Sequence, residues 1–214
     1  MVKINRKSLW PVALSLAVIA LTSEAHDGSE HQGEASAPSP RQATRVASAM
    51  DRMEGYFPNV ALQTDDGETV RFYDDLIKGK SVIISFMYTS CTSVCPLTTK
   101  NLMAVQRALG DRVGTDVFLY GITLDPAHDT PTVLKRFARA IGAQPGFTFV
   151  TGTQADIDLV RHKLGVYDPD PVIDADKSQH GALFVYGNEA TGKWQAIPSM
   201  LPASRIIRSL GAVM

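Results

Sequence analysis

With 214 residues, the chain has room for one ordinary domain plus a leader or tail, not for several domains. Its 21 Lys and Arg almost balance its 22 Asp and Glu, giving a formal net charge of -1, which argues against the basic excess of a nucleic-acid binder. Only 2 Cys and 5 His are available for thiol chemistry or imidazole ligation, so each one carries weight.

The first residues read as an export leader. Lys3, Arg6 and Lys7 precede an apolar run from Leu9 to Leu21, broken by Pro11 and Ser15 and short for a membrane span. Ser23-Glu24-Ala25 then places small residues where a signal peptidase reads. Residues 1–25 are therefore expected to be a leader cleaved after Ala25, with an uncleaved inner-membrane anchor as the alternative. Either way the folded part is expected in the periplasm. An oxidising compartment closes paired thiols into a disulfide unless a metal or a reductant intervenes.

Residues 26–54 are polar, small and Pro-containing, with too few large apolar side chains to offset the entropy of ordering. They read as a flexible tether leading to a domain over 55–214. Within Pro58–Phe72, Val60, Leu62, Val70 and Phe72 alternate with polar residues around Asp66-Gly67, the pattern of a hairpin. Ser81–Met87 is a compact β-branched run and reads as a buried central strand. After YTSCTSVCP, Leu97, Leu102, Val105 and Leu109 continue at helical spacing from Pro96 until Gly110. Val117–Thr123 is a second buried strand. Thr130-Pro131 opens a helix that Gly142 ends. Phe147–Val150, a helix from Thr153 through Leu164, a strand over 182–186, a turn over 188–193, a return strand over 194–197 and a helix over 204–210 complete the order. Pro198 and Pro202 bracket a turn. Strands alternating with helices predict an α/β fold, a central mixed sheet flanked by helices with an N-terminal β-hairpin, and a thioredoxin-like arrangement fits this order.

Cys91 and Cys95 fall at the junction of a buried strand and a helix. A helix N-terminus carries partial positive charge and free N–H groups, and so favours a thiolate, which is both nucleophile and metal ligand. The usual redox spacing is C-x-x-C; here three residues intervene, leaving more room for an ion without forbidding a disulfide. A soft-metal site for copper or zinc, a redox dithiol and a structural bridge all remain open on these residues. A metal would need a third ligand. His162 lies within an amphipathic helix and reads as a surface residue. His180, in the polar run DADKSQH before a strand, is better placed. His128 reads as a turn residue, with an accessory ligand or proton-transfer group as the alternative, and Asp129 and Thr130 as turn and capping residues. His26 and His31 read as parts of a polar tail with a capacity to capture Cu(II), and Met50 and Met53 as weak soft-ligand candidates.

SFMYTSCTSVCP, LDPAHDTP and QHGALFVYG, in this order and spacing, resemble the Sco/SenC family of copper proteins over roughly residues 56–210. The resemblance implies a thioredoxin-like domain that binds copper, as Cu(I) or Cu(II), through Cys91, Cys95 and His180. It implies a metallochaperone acting on a copper-enzyme subunit such as cytochrome c oxidase subunit II, whose CuA centre family members help to assemble. The alternative it carries is a thiol-disulfide oxidoreductase, with Cys91 and Cys95 as the redox dithiol, reducing the cysteines of that centre. Another periplasmic copper chaperone or a thiol reductant would then be a further partner. Asp125 matches the first aspartate of the family's D-P-x-x-D-T-P segment and is expected beside the ligands. The chain departs from the common H-C-P-D-V-C-P motif by reading Ser90-Cys91-Thr92-Ser93-Val94-Cys95-Pro96, and Gly181 follows the histidine.

Overall fold

The structure is a computed structural model that describes residues 55–177, 182–211 and 213. The expected leader over 1–25, the tether over 26–54, and with them His26, His31, Met50 and Met53, lie outside the described residues, as does His180. Among the described residues no helix is long and apolar enough to cross a membrane.

Seven strands form one mixed sheet in the order β2-β1-β5-β4-β3-β6-β7. They are β1 (Ala61–Thr64), β2 (Thr69–Arg71), β3 (Ser81–Met87), β4 (Val117–Thr123), β5 (Phe147–Thr151), β6 (Leu183–Asn188) and β7 (Lys193–Pro198). The helices are α1 (Cys95–Leu109), α2 (Pro131–Ile141), α3 (Gln154–Lys163), α4 (Pro171–Ala175) and α5 (Ala203–Leu210). β3 and β4 pair in parallel over their whole length, from Ser81 opposite Val117 to Met87 opposite Thr123, and β5 continues the parallel block on β4. α1 and α2 make the two crossovers that parallel pairing demands. β1, β6, β2 and β7 extend the sheet antiparallel on either side.

The expected hairpin is present as β1 and β2, paired from Ala61 opposite Arg71 to Gln63 opposite Thr69. Phe72 is a correction. It was expected to close a strand, yet it opens a π-helical turn, Phe72–Ile77, while its N–H still bonds the Val60 carbonyl at 2.9 Å. Four of that turn's six side chains are buried, which is why tertiary packing overrode the alternating pattern. Asn188 and Lys193, expected in a turn, are paired strand residues, and the reversal between them narrows to Glu189–Thr191. α4 had no periodic signal at five residues.

Alternation along the strands builds two cores, one on each sheet face. Val82 and Ile84 of β3 join Leu62, Phe72, Ile77, Tyr120, Ile157 and Val160 under the π turn and α3. Ile83 and Met87 join Leu102, Val105, Leu119, Leu134, Phe184, Ile206 and Leu210 under α1, α2 and α5. Each fully buried aliphatic here contributes roughly 1.5–3 kcal/mol. α2 keeps the predicted ends: Thr130 Oγ1 accepts from Val133 N–H at 3.4 Å, and Gly142 closes the helix at φ 74°. Gly146 (φ 86°) is required where two loops cross, since a Cβ there would sit 2.3 Å from the backbone nitrogen of Gly114.

Candidate metal centre

β3 ends at Met87, and the chain crosses the sheet's end through Tyr88–Val94 before α1 begins at Cys95. Cys91 N–H bonds the Tyr88 carbonyl at 3.2 Å, turning the loop back on itself. Cys95 is the first residue of α1 and Pro96 the second, where a missing N–H costs nothing. Val94 at the N-cap supplies no side-chain acceptor, so no capping group competes with a sulfur for this positive end. Cys91 and Cys95 are joined as a disulfide, with their Cα atoms 5.8 Å apart. Ser93 Oγ stands 3.7 Å from Cys91 Sγ.

The cysteines line a cleft of about 10 Å³ with Met87, Val94, Thr98, Leu124, Lys177 and Ala182. That volume holds about one water-sized body, so the cleft suits an ion and not an organic substrate. Lys177 and Ala182 flank residues 178–181 on either side. Both anchors are fixed. Lys177 Nζ donates to Asp125 Oδ2 at 2.5 Å and lies 5.3 Å over the Tyr88 ring. The Ala182 carbonyl accepts from Ser199 N–H at 2.7 Å, and Ser199 Oγ bonds Thr98 Oγ1 at 2.8 Å in the first turn of α1. The Pro198–Pro202 segment thus does more than turn the chain: Asn101 Nδ2 also donates to the carbonyls of Ser199 and Leu201 at 2.7 and 2.9 Å.

Asp125 is buried beside the cleft, one hydrogen bond from its Lys177. Burial alone would raise its carboxyl, but hydrogen bonds from His128 and Lys177 outweigh that and hold it below the usual range. His128, mostly exposed, donates from Nδ1 to Asp125 Oδ1 at 2.9 Å, since an ionised carboxylate only accepts. Neither residue is shown touching a cysteine. Among the described residues no group of three His, Cys, Asp or Glu converges.

Sequence reasoning missed Asp129. Read as a turn residue, it is 1% exposed, and its carboxylate accepts from Thr89 N–H at 3.0 Å, Thr89 Oγ1 at 2.5 Å and Thr123 Oγ1 at 2.6 Å. It pins the loop two residues before Cys91 to the end of β4. The D-T-P string marks its local turn; only the β3–β4 pairing brings Thr89 and Thr123 to it.

A cavity of about 630 Å³ adjoins the cleft through Leu124 and Lys177 and is charged: Asp125, Asp158, Arg161, His162 and Asp174 line it. His162, expected to be a plain surface residue, bonds Asp174 Oδ2 through Nε2 at 2.9 Å. Arg161, 3% exposed, donates to both Asp174 oxygens at 2.5 and 2.8 Å. The Arg161 bond holds the Asp174 carboxyl far below its ordinary value, against the opposing effect of burial, with Asp168 N–H and His162 assisting. A carboxyl depressed in the folded state stabilises above its unfolded value, near 4, and that stability is lost as pH falls. Urea midpoints should therefore hold steady from pH 7 to 5 and drop below about pH 4, with Asp174→Asn flattening the acid limb. An unchanged acid limb in the variant would remove Asp174 from the account.

The SCO1/SenC family model matches residues 51–214. A SCO2-like protein of Rickettsia felis is 32% identical over 130 residues, covering 58% of this chain and 60% of that protein. The chain thus spans about three fifths of the length of this curated relative. Bradyrhizobium japonicum ScoI, solved with copper bound, is 25% identical with a TM-score of 0.57, covering 72% of this chain and 96% of that one. BsSco, described as a member of the Sco family of cytochrome c oxidase assembly proteins and studied for a disulfide switch, shares the fold at 23% identity and a TM-score of 0.57, over 72% of this chain and 90% of its own. Motifs, mixed sheet and family match agree: this chain belongs to the SCO1/SenC family.

Proposed function

We propose that the chain is a copper carrier in the assembly of cytochrome oxidase, with the Cys91 and Cys95 thiolates and the His180 imidazole holding one copper ion. The observation that carries this reading is the convergence of three chain segments on one ion-sized cleft: the cysteine loop, Lys177 before residue 180, and Ala182 after it. Residue 180 is two positions from Ala182, a reach of at most roughly 7 Å. Two thiolates favour Cu(I), and the imidazole makes Cu(II) acceptable as well. Copper bound to the related ScoI supports the same cargo here. The disulfide must first take up two electrons and two protons from a dithiol donor; copper then displaces the thiol protons.

In this reading residues 1–25 export the chain to the periplasm or anchor it there, 26–54 tether the domain, and the recipient is a copper subunit such as cytochrome c oxidase subunit II. Asp125 acts through Lys177, holding one end of the segment that bears His180.

A second reading rests on the bonded sulfurs. As a thiol-disulfide oxidoreductase, the reduced chain would attack a partner's disulfide through Cys91, and Cys95 would resolve the mixed disulfide by bonding Cys91 and releasing the partner's thiol. Two electrons and two protons pass to the partner, leaving Cys91 and Cys95 oxidised.

Copper stoichiometry and absorption of the reduced chain, beside His180→Ala, decide between them. One copper per chain, with a thiolate-to-Cu(II) band that weakens or shifts in the variant, is the expected result. No copper in either protein, with exchange intact in both, would leave the oxidoreductase.

A further inference from the structure

The near-zero net charge conceals a segregation of charge between the two faces of the sheet. The layer of α1, α2 and α5 contains Lys, Arg and no Asp or Glu. Lys100, Arg107, Arg136, Arg139, Arg205 and Arg208 on these helices are exposed, and among the described residues none of them lies in an ion pair. The opposite layer is acidic: Asp74 and Asp75 in the π turn, Asp156 and Asp158 in α3, and Asp174 in α4, against Arg161 and Lys163. The acids nearest in sequence to α1, Asp111 and Asp116, follow its far end, and Asp116 is engaged by Arg112 at 3.3 Å.

The cysteines open at one end of this basic layer. Leu97, Lys100, Ala104 and Arg107 follow one another at i, i+3 and i+4 spacing along α1, so they share its outer face, with Leu97 in the first turn that Cys95 opens. Met200 sits between Ser199 and Leu201, both bonded to Asn101 of α1. Leu97 and Met200 are 43% and 51% exposed, large apolar groups left in solvent at the cysteine end. α5 packs beside α1 and contributes Ile206 and Leu210 to the same core as Leu102 and Val105, which leaves Arg205 and Arg208 on the outer side.

We propose that this face, Leu97 and Met200 at the cysteine end of α1 backed by Lys100, Arg205 and Arg208, docks an acidic protein surface whose own thiols or copper ligands lie within a ring of carboxylates. The inference rests on the exchange and transfer chemistry proposed for the cysteine pair and names the class of partner. Charge complementarity selects the occupant. A wide cationic field steers an acidic partner, and two apolar side chains seat it at the helix end where the partly exposed cysteines lie. A protein is favoured over a lipid surface because only two apolar groups are offered, and they sit where thiol chemistry needs a thiol-bearing partner.

The test uses the full chain and two synthetic peptides, each closed by one disulfide across Cys-x-x-x-Cys and flanked by Glu in one and Gln in the other. Reduced chain should reduce the Glu peptide roughly tenfold faster at low salt, an advantage that collapses as salt screens it. Lys100→Glu with Arg205→Glu and Arg208→Glu should abolish the preference while leaving the Gln-peptide rate unchanged, which shows fold and thiols intact. Lys100→Arg should keep it. The same peptides with Ser for Cys, followed by fluorescence anisotropy, read the preference as binding even if exchange is absent, and absent exchange counts only against the dithiol reading. Equal rates and equal binding would overturn the proposal, as would capture by phosphatidylglycerol vesicles without any preference for the Glu peptide.

Discussion

Cys95→Ser should abolish copper uptake and the release of a reduced partner together, trapping Cys91 in a mixed disulfide, while the protein still folds. Ser is nearly isosteric with Cys, and Cys95 is a partly buried residue packed at the edge of the core beneath α1, so little packing is lost. Both chemistries stop short of completion. A hydroxyl does not ionise at neutral pH and is a hard ligand, so Cu(I) loses one of its two sulfurs, and no second thiol remains to resolve a mixed disulfide. Stability separates this from unfolding. The Cys91–Cys95 bond spans a sequence separation of 4, and a loop that short constrains the unfolded chain by roughly 2 kcal/mol. Urea unfolding should place Cys95→Ser with the reduced chain and below the oxidised one. Full copper loading in the variant would mean that the metal is held elsewhere. A variant far less stable than the reduced chain would mean that Cys95 is chiefly a core residue.

Asp129→Ala should be the most disruptive single change near the site that touches neither cysteine nor histidine. It strands three donors, Thr89 N–H, Thr89 Oγ1 and Thr123 Oγ1, around a carboxylate that is 1% exposed. Each buried donor left unsatisfied costs about 1–3 kcal/mol, so stranding these three should cost roughly 3–5 kcal/mol. In a domain of this size that lowers the thermal midpoint by roughly 10 °C. The loop before Cys91 also loses its tie to β4, so copper affinity should fall even at temperatures where the variant is folded. Asp129→Asn keeps the volume and one acceptor, and should recover part of both losses. A destabilisation under about 1 kcal/mol would show that solvent replaces the carboxylate there. Normal copper affinity in folded Asp129→Ala would show that the loop is positioned without it.

The local elements were legible because their signals are local. Ser81–Met87 and Val117–Thr123 are strands over the predicted residues, since short, mainly apolar runs are what a strand buried on both faces requires. Thr130, Pro131 and Gly142 bound α2 as their backbone preferences dictate. The cysteine pair was legible for the same reason: a strand, a short loop and a helix start are consecutive in the chain.

Whatever depended on distant partners was not legible. Phe72 lies in an alternating string, yet its burial beneath the sheet bends the chain into a π turn. Asp129 and Ser199 look like turn residues until the β3–β4 pairing and the packing of α1 bring Thr89, Thr123 and Thr98 to them. The balanced charge of the composition is likewise an average, and only the assignment of helices to opposite sheet faces divides it into a basic and an acidic side. The sequence by itself determined the strands, the helix ends and the paired thiols, because those follow from backbone preference and hydrophobic period over a few residues. The tertiary structure alone decided which side chains flank the thiols, which carboxylate secures their loop and which charges share a face, because hydrogen bonds and electrostatics act across space between residues far apart in the chain.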